Sequence, residues 1–203
     1  MSKQVHTYYF LGSSVTFGSA TDGISFVEEI ACKTGATCVK NAVSGTSLAK
    51  VADGTQSYVE RLADFDTKAE VNTFVVQLST NDATQNLPLG QIAESDKFDT
   101  YSVIGAIEYI IDYIKKVWHS DVVFYTNPCF HNAQYEKMIE ALYCVQKKYN
   151  IGIVDFYNYR NMQTLSNDTL ATYMTDEIHP NALGYKWMTD IFVKYLVRKT
   201  EMK

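Results

Sequence analysis

Ser14 lies in Gly12-Ser13-Ser14-Val15-Thr16-Phe17-Gly18, directly after the apolar run Tyr8-Tyr9-Phe10-Leu11. A serine there sits where a buried strand would end, and in an α/β protein that edge is where ligands and chemistry gather. Held between glycines, it can present its hydroxyl to a crevice and its own backbone N–H to a developing negative charge, so we read Ser14 as a nucleophile. A serine hydroxyl attacks poorly at neutral pH without a base. His179 is the histidine with an orienting carboxylate nearby in sequence: Asp176-Glu177-Ile178-His179-Pro180-Asn181 can fold back in one turn. Asp176 would then accept a hydrogen bond from the Nδ1 proton, fix the tautomer and leave Nε2 as the base. Each stretch alone also has a plainer reading, a polar strand-end loop around Ser14 and a capped turn beside a surface histidine at His179.

The elements around these residues alternate. After the first strand, Ser25-Phe26-Val27-Glu28 has the form of a capping box and predicts a helix through Thr34, closed by Gly35. Thr37–Lys40 reads as a second strand running into the polar loop Asn41–Ser47, Tyr58–Phe65 as a helix, and Val71–Leu78 as a third strand ending in Ser79-Thr80-Asn81-Asp82. Ala83–Asp99, with Pro88 and Gly90, is irregular and reads as a rim or lid. Asp99 or Thr100 is the expected cap of a helix whose stripe Ile104, Ile107, Ile111, Ile114, Val117 is core. Strands at Val122–Thr126 and Ile151–Phe156, a helix marked by Tyr135, Met138, Leu142, Val145 and Tyr149, and a last helix from Ala182 to about Arg198 complete the pattern. Apolar strands alternating with helices imply a parallel sheet covered on both faces, a three-layer αβα, flavodoxin-like domain of five strands. An order of 2-1-3-4-5 would make the first three strand ends neighbours at the switch point.

With no linker, repeat or charge block, the chain is expected to form a single domain over 1–203. Its 18 Lys plus Arg against 23 Asp plus Glu give a net charge of -5, the wrong sign for a nucleic-acid partner. No apolar run is long enough to span a bilayer, and Met1–His6 lacks the pattern of a secretory signal, so a cytoplasmic protein with no membrane partner is expected. Cys32, Cys38, Cys129 and Cys144 form no C-x-x-C pair and are expected as reduced, mostly buried thiols. No spacing of His, Cys and carboxylates suggests a metal, and no cofactor is expected. Asp82 is expected to brace its own loop, and the fifteen tyrosines to pack with their hydroxyls at the surface. His131 is a candidate to line the crevice.

In chain order, these four loops resemble the four blocks of the SGNH hydrolases, the GDSL esterase and lipase family. The first block, Gly-Asp-Ser-x-Thr-x-Gly, is matched by Gly12, Ser14, Thr16 and Gly18, with Ser13 in place of the Asp; Thr16 and Gly18 set the register on Ser14. Asn41 and Gly45 match Asn-x-x-x-Gly, Asn81 and Asp82 match Gly-x-Asn-Asp with Ser79 in place of the Gly, and Asp176 and His179 match the last block. The resemblance implies a Ser14–His179–Asp176 triad and an oxyanion hole made by the N–H of Ser14, the N–H of Gly45 and the side-chain amide of Asn81. It implies a serine esterase or acylhydrolase working through an acyl-enzyme on a small-molecule ester. An acyltransferase with the same triad and a non-catalytic flavodoxin-like binding module are the alternatives. Because the rim Ala83–Gln91 offers only two leucines among polar and small residues, a short acyl or O-acetyl group is expected, a carbohydrate ester among them.

Overall fold

A computed structural model describes residues 5–128, 130–159 and 171–201. Five parallel strands form one sheet in the order β2-β1-β3-β4-β5: β1 Thr7–Gly12, β2 Thr37–Ala42, β3 Thr73–Gln77, β4 Asp121–Tyr125 and β5 Gly152–Val154. The strand order and fold class are those expected. Along β1 the side chains alternate between two cores, as the two-residue period of a strand requires. Tyr9 and Leu11 join Phe74, Val76, Val122 and Phe124 on one face, and Tyr8 and Phe10 join Val75, Val123, Tyr125 and Val154 on the other. Each such buried side chain contributes about 1.5–3 kcal/mol, so neither face can be left wet.

The helices that cover the faces are α1 Ser14–Phe17, α2 Phe26–Thr34, α3 Tyr58–Arg61, α4 Thr80–Thr84, α5 Val103–Trp118, α6 Ala133–Tyr149 and α7 Ala182–Glu201. On the first face, α5 lays Ile104, Ile107, Ile110, Ile111 and Ile114 against the sheet beside Tyr135, Met138, Leu142 and Val145 of α6. On the second, α2 and α7 pack together through Phe26 and Phe192, whose ring centroids are 4.6 Å apart. The Ser25–Glu28 capping box forms, and Gly35 ends α2 in the left-handed conformation at φ 72°. Chain reversal there needs a residue without a Cβ penalty.

Several boundaries differ from the sequence reading. β2 continues through Asn41 and Ala42, because both pair with β1 as far as its last residue. β5 holds only three residues, since β4 offers it pairing only from Val123 to Tyr125. Past Arg61, Leu62–Asp64 tightens into a 3₁₀ turn. Ser79–Asp82 is the start of α4 rather than an open loop, with Ser79 Oγ capping Asn81 N–H at 3.1 Å. Ser102, not Asp99 or Thr100, is the residue before α5; Asp99 instead accepts from Tyr101 N–H in the preceding turn. Cys32 and Cys144 are exposed, each on a helix face turned to solvent, and Cys129 lies outside the described residues. Tyr58, Tyr125, Tyr135 and Tyr185 are buried, and the hydroxyls of the last three meet polar groups at or near the sheet ends.

The irregular rim after α4 is anchored. Leu87 and Leu89 pack on the first core, and Val103 and Ile104 N–H donate back to Pro88 and Leu89 carbonyls at 2.9 Å. Fully buried Glu108 accepts from Ala93 N–H at 2.8 Å, from Lys148 Nζ at 2.8 Å and from the Tyr149 hydroxyl at 3.0 Å. Glu108→Ala should lower stability by about 2–3 kcal/mol, below the ~3–5 of a fully buried pair because Lys148 can return to water. Urea unfolding checks this, and limited proteolysis should cut first near Ala93.

Candidate active site

Why the chain turns at Ser14 follows from one acceptor. Gln77 ends β3, and its Oε1 accepts from Ser13 N–H at 2.9 Å, Thr16 Oγ1 at 2.9 Å and Thr16 N–H at 3.3 Å. Thr16 Oγ1 also meets the Tyr125 hydroxyl at 2.6 Å. The turn closes so tightly that a Cβ on Gly12 would lie 1.8 Å from Thr16 Oγ1, and one on Gly18, at φ 90°, 2.6 Å from the Ile24 carbonyl. Glycine is thus required at both ends, and threonine between them. Ser14, 8% exposed, begins α1. Gln77 was read only as part of a strand; its signal is a lone amide closing the apolar run Phe74-Val75-Val76.

The histidine loop is built locally. Asp176 Oδ1 accepts from Ile178 N–H at 2.8 Å and His179 N–H at 2.7 Å, and its Oδ2 lies 2.8 Å from His179 Nδ1. Thr175 N–H donates to the His179 carbonyl at 2.8 Å, and a Met174–Pro180 bridge closes the loop. Asn181 Oδ1 then accepts from Leu183 and Gly184 N–H, starting α7. His179 Nε2 reaches Ser14 Oγ at 2.9 Å. With the ring proton on Nδ1, where a carboxylate accepts it, Nε2 is the acceptor for the Ser14 hydroxyl. Partial burial works to raise the Asp176 carboxyl, but the His179 ring and the two amides outweigh it and hold the pKa low, so the group is a carboxylate when the base must act.

The other two loops meet this serine from the neighbouring strands. Val43 N–H donates to the Gly12 carbonyl at 3.3 Å, and Gly45 stands in the left-handed region at φ 81°. Asn81 Nδ2 donates to the Thr46 carbonyl at 2.9 Å, leaving the other amide hydrogen for a ligand. Neither Ser14 nor Gly45 N–H bonds to another described residue. Two free backbone donors and an oriented amide beside a histidine-bonded hydroxyl are the parts an acyl-transfer site requires.

The sequence profile of the GDSL-like lipase/acylhydrolase family matches residues 10–187. The chain belongs to this family. As a GDSL-like acylhydrolase it is a hydrolase of ester bonds, which sets aside the non-catalytic binding module. Among solved structures it is similar to a protein from Lactobacillus plantarum, with a TM-score of 0.81 at 18% identity over 97% of this chain and 98% of that one. A G-D-S-L family lipolytic protein from Veillonella parvula matches with a TM-score of 0.69 at 19% identity over 96% and 100% of the two chains. An acetyl xylan esterase matches with a TM-score of 0.70 at 12% identity over 93% and 98%. At these identities the likeness is one of fold. Among curated proteins none matches the chain in sequence.

In this GDSL-like hydrolase the remaining histidines stand apart. His131 is exposed and edge-on to Tyr157 at 5.9 Å, His119 ends α5 in a left-handed cap, and His6 stacks on Tyr8 at 6.1 Å. Among the described residues no group of His, Cys and carboxylates could hold a metal ion, and no helix is long and apolar enough to cross a membrane. Asp82 bonds to Ser79 in its own turn and also reaches beyond it: its carboxylate accepts from Leu48 N–H at 2.7 Å and Ala49 N–H at 2.9 Å, holding the Gly45 loop. These donors point at α4 because Leu48 and Ala49 are buried against the core it borders. Burial dominates and raises the Asp82 pKa to about 6, outweighing both amides.

A folded-state pKa raised above that of the unfolded carboxyl, 3.8, gives stability that is fully present below pH 3.8 and is lost as pH rises through about 6. Asp82→Asn removes that dependence. The stability of the parent relative to the variant should therefore fall by on the order of 2–3 kcal/mol between about pH 4 and 6.5 and then level off. Urea unfolding of both proteins across this range measures it; a parallel pair of curves would refute it.

Proposed function

We propose that this GDSL-like hydrolase is a serine esterase that removes short acyl groups, O-acetyl groups on saccharides among them, through a covalent acyl-enzyme. The observation that carries the reading is the continuous chain Ser14 Oγ, His179 Nε2 at 2.9 Å, and His179 Nδ1 to Asp176 Oδ2 at 2.8 Å. His179 takes the Ser14 proton as Oγ attacks the ester carbonyl, and returns it to the leaving alkoxide when the acyl-enzyme forms. Water, activated by the same nitrogen, then releases the acid and restores the serine. Charge on the carbonyl oxygen is met by the Ser14 and Gly45 N–H groups and the Asn81 amide. Asp176 holds the tautomer and stabilises the imidazolium without itself being protonated. The chemistry needs no metal or cofactor, since a side chain attacks and amides hold the oxyanion.

Short acyl groups are favoured by the surroundings. The leucines of the rim, Leu87 and Leu89, are packed on the core and are not available to line a groove. The loops bearing Ser14, Gly45 and Asn81 are chiefly Ser, Thr, Asn and Gly. The fold is shared with an acetyl xylan esterase, so acetylated sugars are the first natural esters to test.

Ser14→Ala should abolish turnover while Ser13→Ala retains it; the reverse would place the nucleophile on Ser13. Asn81→Ala should lower kcat about 100- to 1,000-fold with little change in KM, the loss seen when one oxyanion donor is removed. A raised KM with kcat intact would make Asn81 a ground-state contact.

Acyl length is decided by a p-nitrophenyl ester series. A methylene buried in an apolar groove contributes about 0.8 kcal/mol, so a long-chain enzyme gains steadily in kcat/KM as the chain grows. Here the maximum should fall between acetate and butyrate. A rise continuing to octanoate would overturn the short-acyl reading.

A further inference from the structure

Arg61 is a cation in the interior, 2% exposed at the end of α3, and no step of the chemistry above uses it. Its guanidinium spans three parts of the site. Nη2 donates to the Gly12 carbonyl at 2.8 Å and to Thr46 Oγ1 at 2.9 Å; Nη1 donates to the Asn41 carbonyl at 3.1 Å and to Asn41 Oδ1 at 2.5 Å. Gly12 lies two residues before the nucleophile, Thr46 directly after Gly45, and Asn41 near the end of β2. All four acceptors are neutral. The nearest carboxylate in this network, Asp64, is one hydrogen bond removed, accepting from Asn41 Nδ2 at 3.3 Å. The Tyr58 ring lies 5.1 Å beneath the guanidinium carbon.

Removing a guanidinium from water without a direct counter-ion is costly, so plain stability is a poor reason for one here. What the arrangement supplies is geometry. The two N–H groups that must face one carbonyl oxygen come from loops on different strands, and the direct backbone tie between those loops is the long Val43–Gly12 bond at 3.3 Å. A planar fork with fixed donor directions holds two acceptors at a set spacing, which a flexible ammonium cannot do. We propose that Arg61 is a positioning residue for the oxyanion hole, locking the Gly45 loop against the Ser14 turn so that both backbone donors meet the same oxygen. The inference rests on the reading of Ser14 as nucleophile and of Gly45 as donor.

Two variants separate this role from a general one. Arg61→Lys keeps the charge and loses the fork; Thr46→Val keeps shape and cuts only the side-chain link between Arg61 and the Gly45 loop, with its turn bond to the Val43 carbonyl. Displacements of about 1 Å at a reacting centre cost up to ~100-fold, so kcat on p-nitrophenyl acetate should fall about 10- to 100-fold for Arg61→Lys and about 3- to 10-fold for Thr46→Val, with KM within about twofold. Combined with Asn81→Ala, Arg61→Lys should lose much less than the product of the single losses, because both act on one oxyanion. Thermal unfolding and circular dichroism certify the fold, and Thr46→Val decides alone if Arg61→Lys does not fold. A folded variant with unchanged kcat, a loss confined to KM, or fully multiplicative losses with Asn81→Ala would overturn the proposal. Turnover surviving in Ser14→Ala would instead overturn the nucleophile on which it rests.

Discussion

A sheet covered on both faces has nowhere to place an unpaired polar group except at the strand ends, and there every backbone donor and acceptor must be matched from within. This constraint shapes the whole site. At the end of β1 the match is Gln77, a side chain from the next strand, which gathers Ser13 and Thr16 around one oxygen. At the end of β2 it is the guanidinium of Arg61, and around the Gly45 loop it is the carboxylate of Asp82. The backbone N–H groups of Ser14 and Gly45 bond to no other described residue. In the proposed chemistry an ester carbonyl would meet the Ser14 and Gly45 N–H groups, and the complement would improve as charge develops on the oxygen.

The architecture was legible because it rests on local patterns. Apolar runs such as Phe74-Val75-Val76, the Ser25–Glu28 capping box and the isoleucine stripe of α5 each report their own structure, and together they leave little choice but a parallel, double-faced sheet. The order of the strands followed from requiring Ser14, Gly45 and Asn81 to share an edge. Boundaries were read less well. The lengths of β2 and β5 are set by what their partner strand offers, information held many residues away.

The local geometry around Ser14 and His179, proposed above as a triad with Asp176, was legible for a similar reason. Asp176 and His179 bond within a single turn, and Gly12, Thr16 and Gly18 are spaced by a clash that only glycine avoids. The long-range contacts that support them were not, although Asp82 itself was read as a loop brace. Gln77, Arg61 and Asp82 each act on a loop between 15 and 64 positions away, and in sequence each belongs to an ordinary strand end or helix turn. Long-range polar contacts leave no periodicity to detect, and the buried arginine resembles any surface cation until its helix is docked.

The histidine loop is complete in itself, but the hydrogen bond that joins it to Ser14 crosses 165 positions of chain. In the folded chain α7, which follows His179, packs against α2, which follows the Ser14 turn. Under the proposed chemistry the site therefore draws on both ends of the chain, and joining segments so far apart carries the loop-closure cost of a long-range contact. A chain in which the two segments are not joined would leave Ser14 without its proposed base.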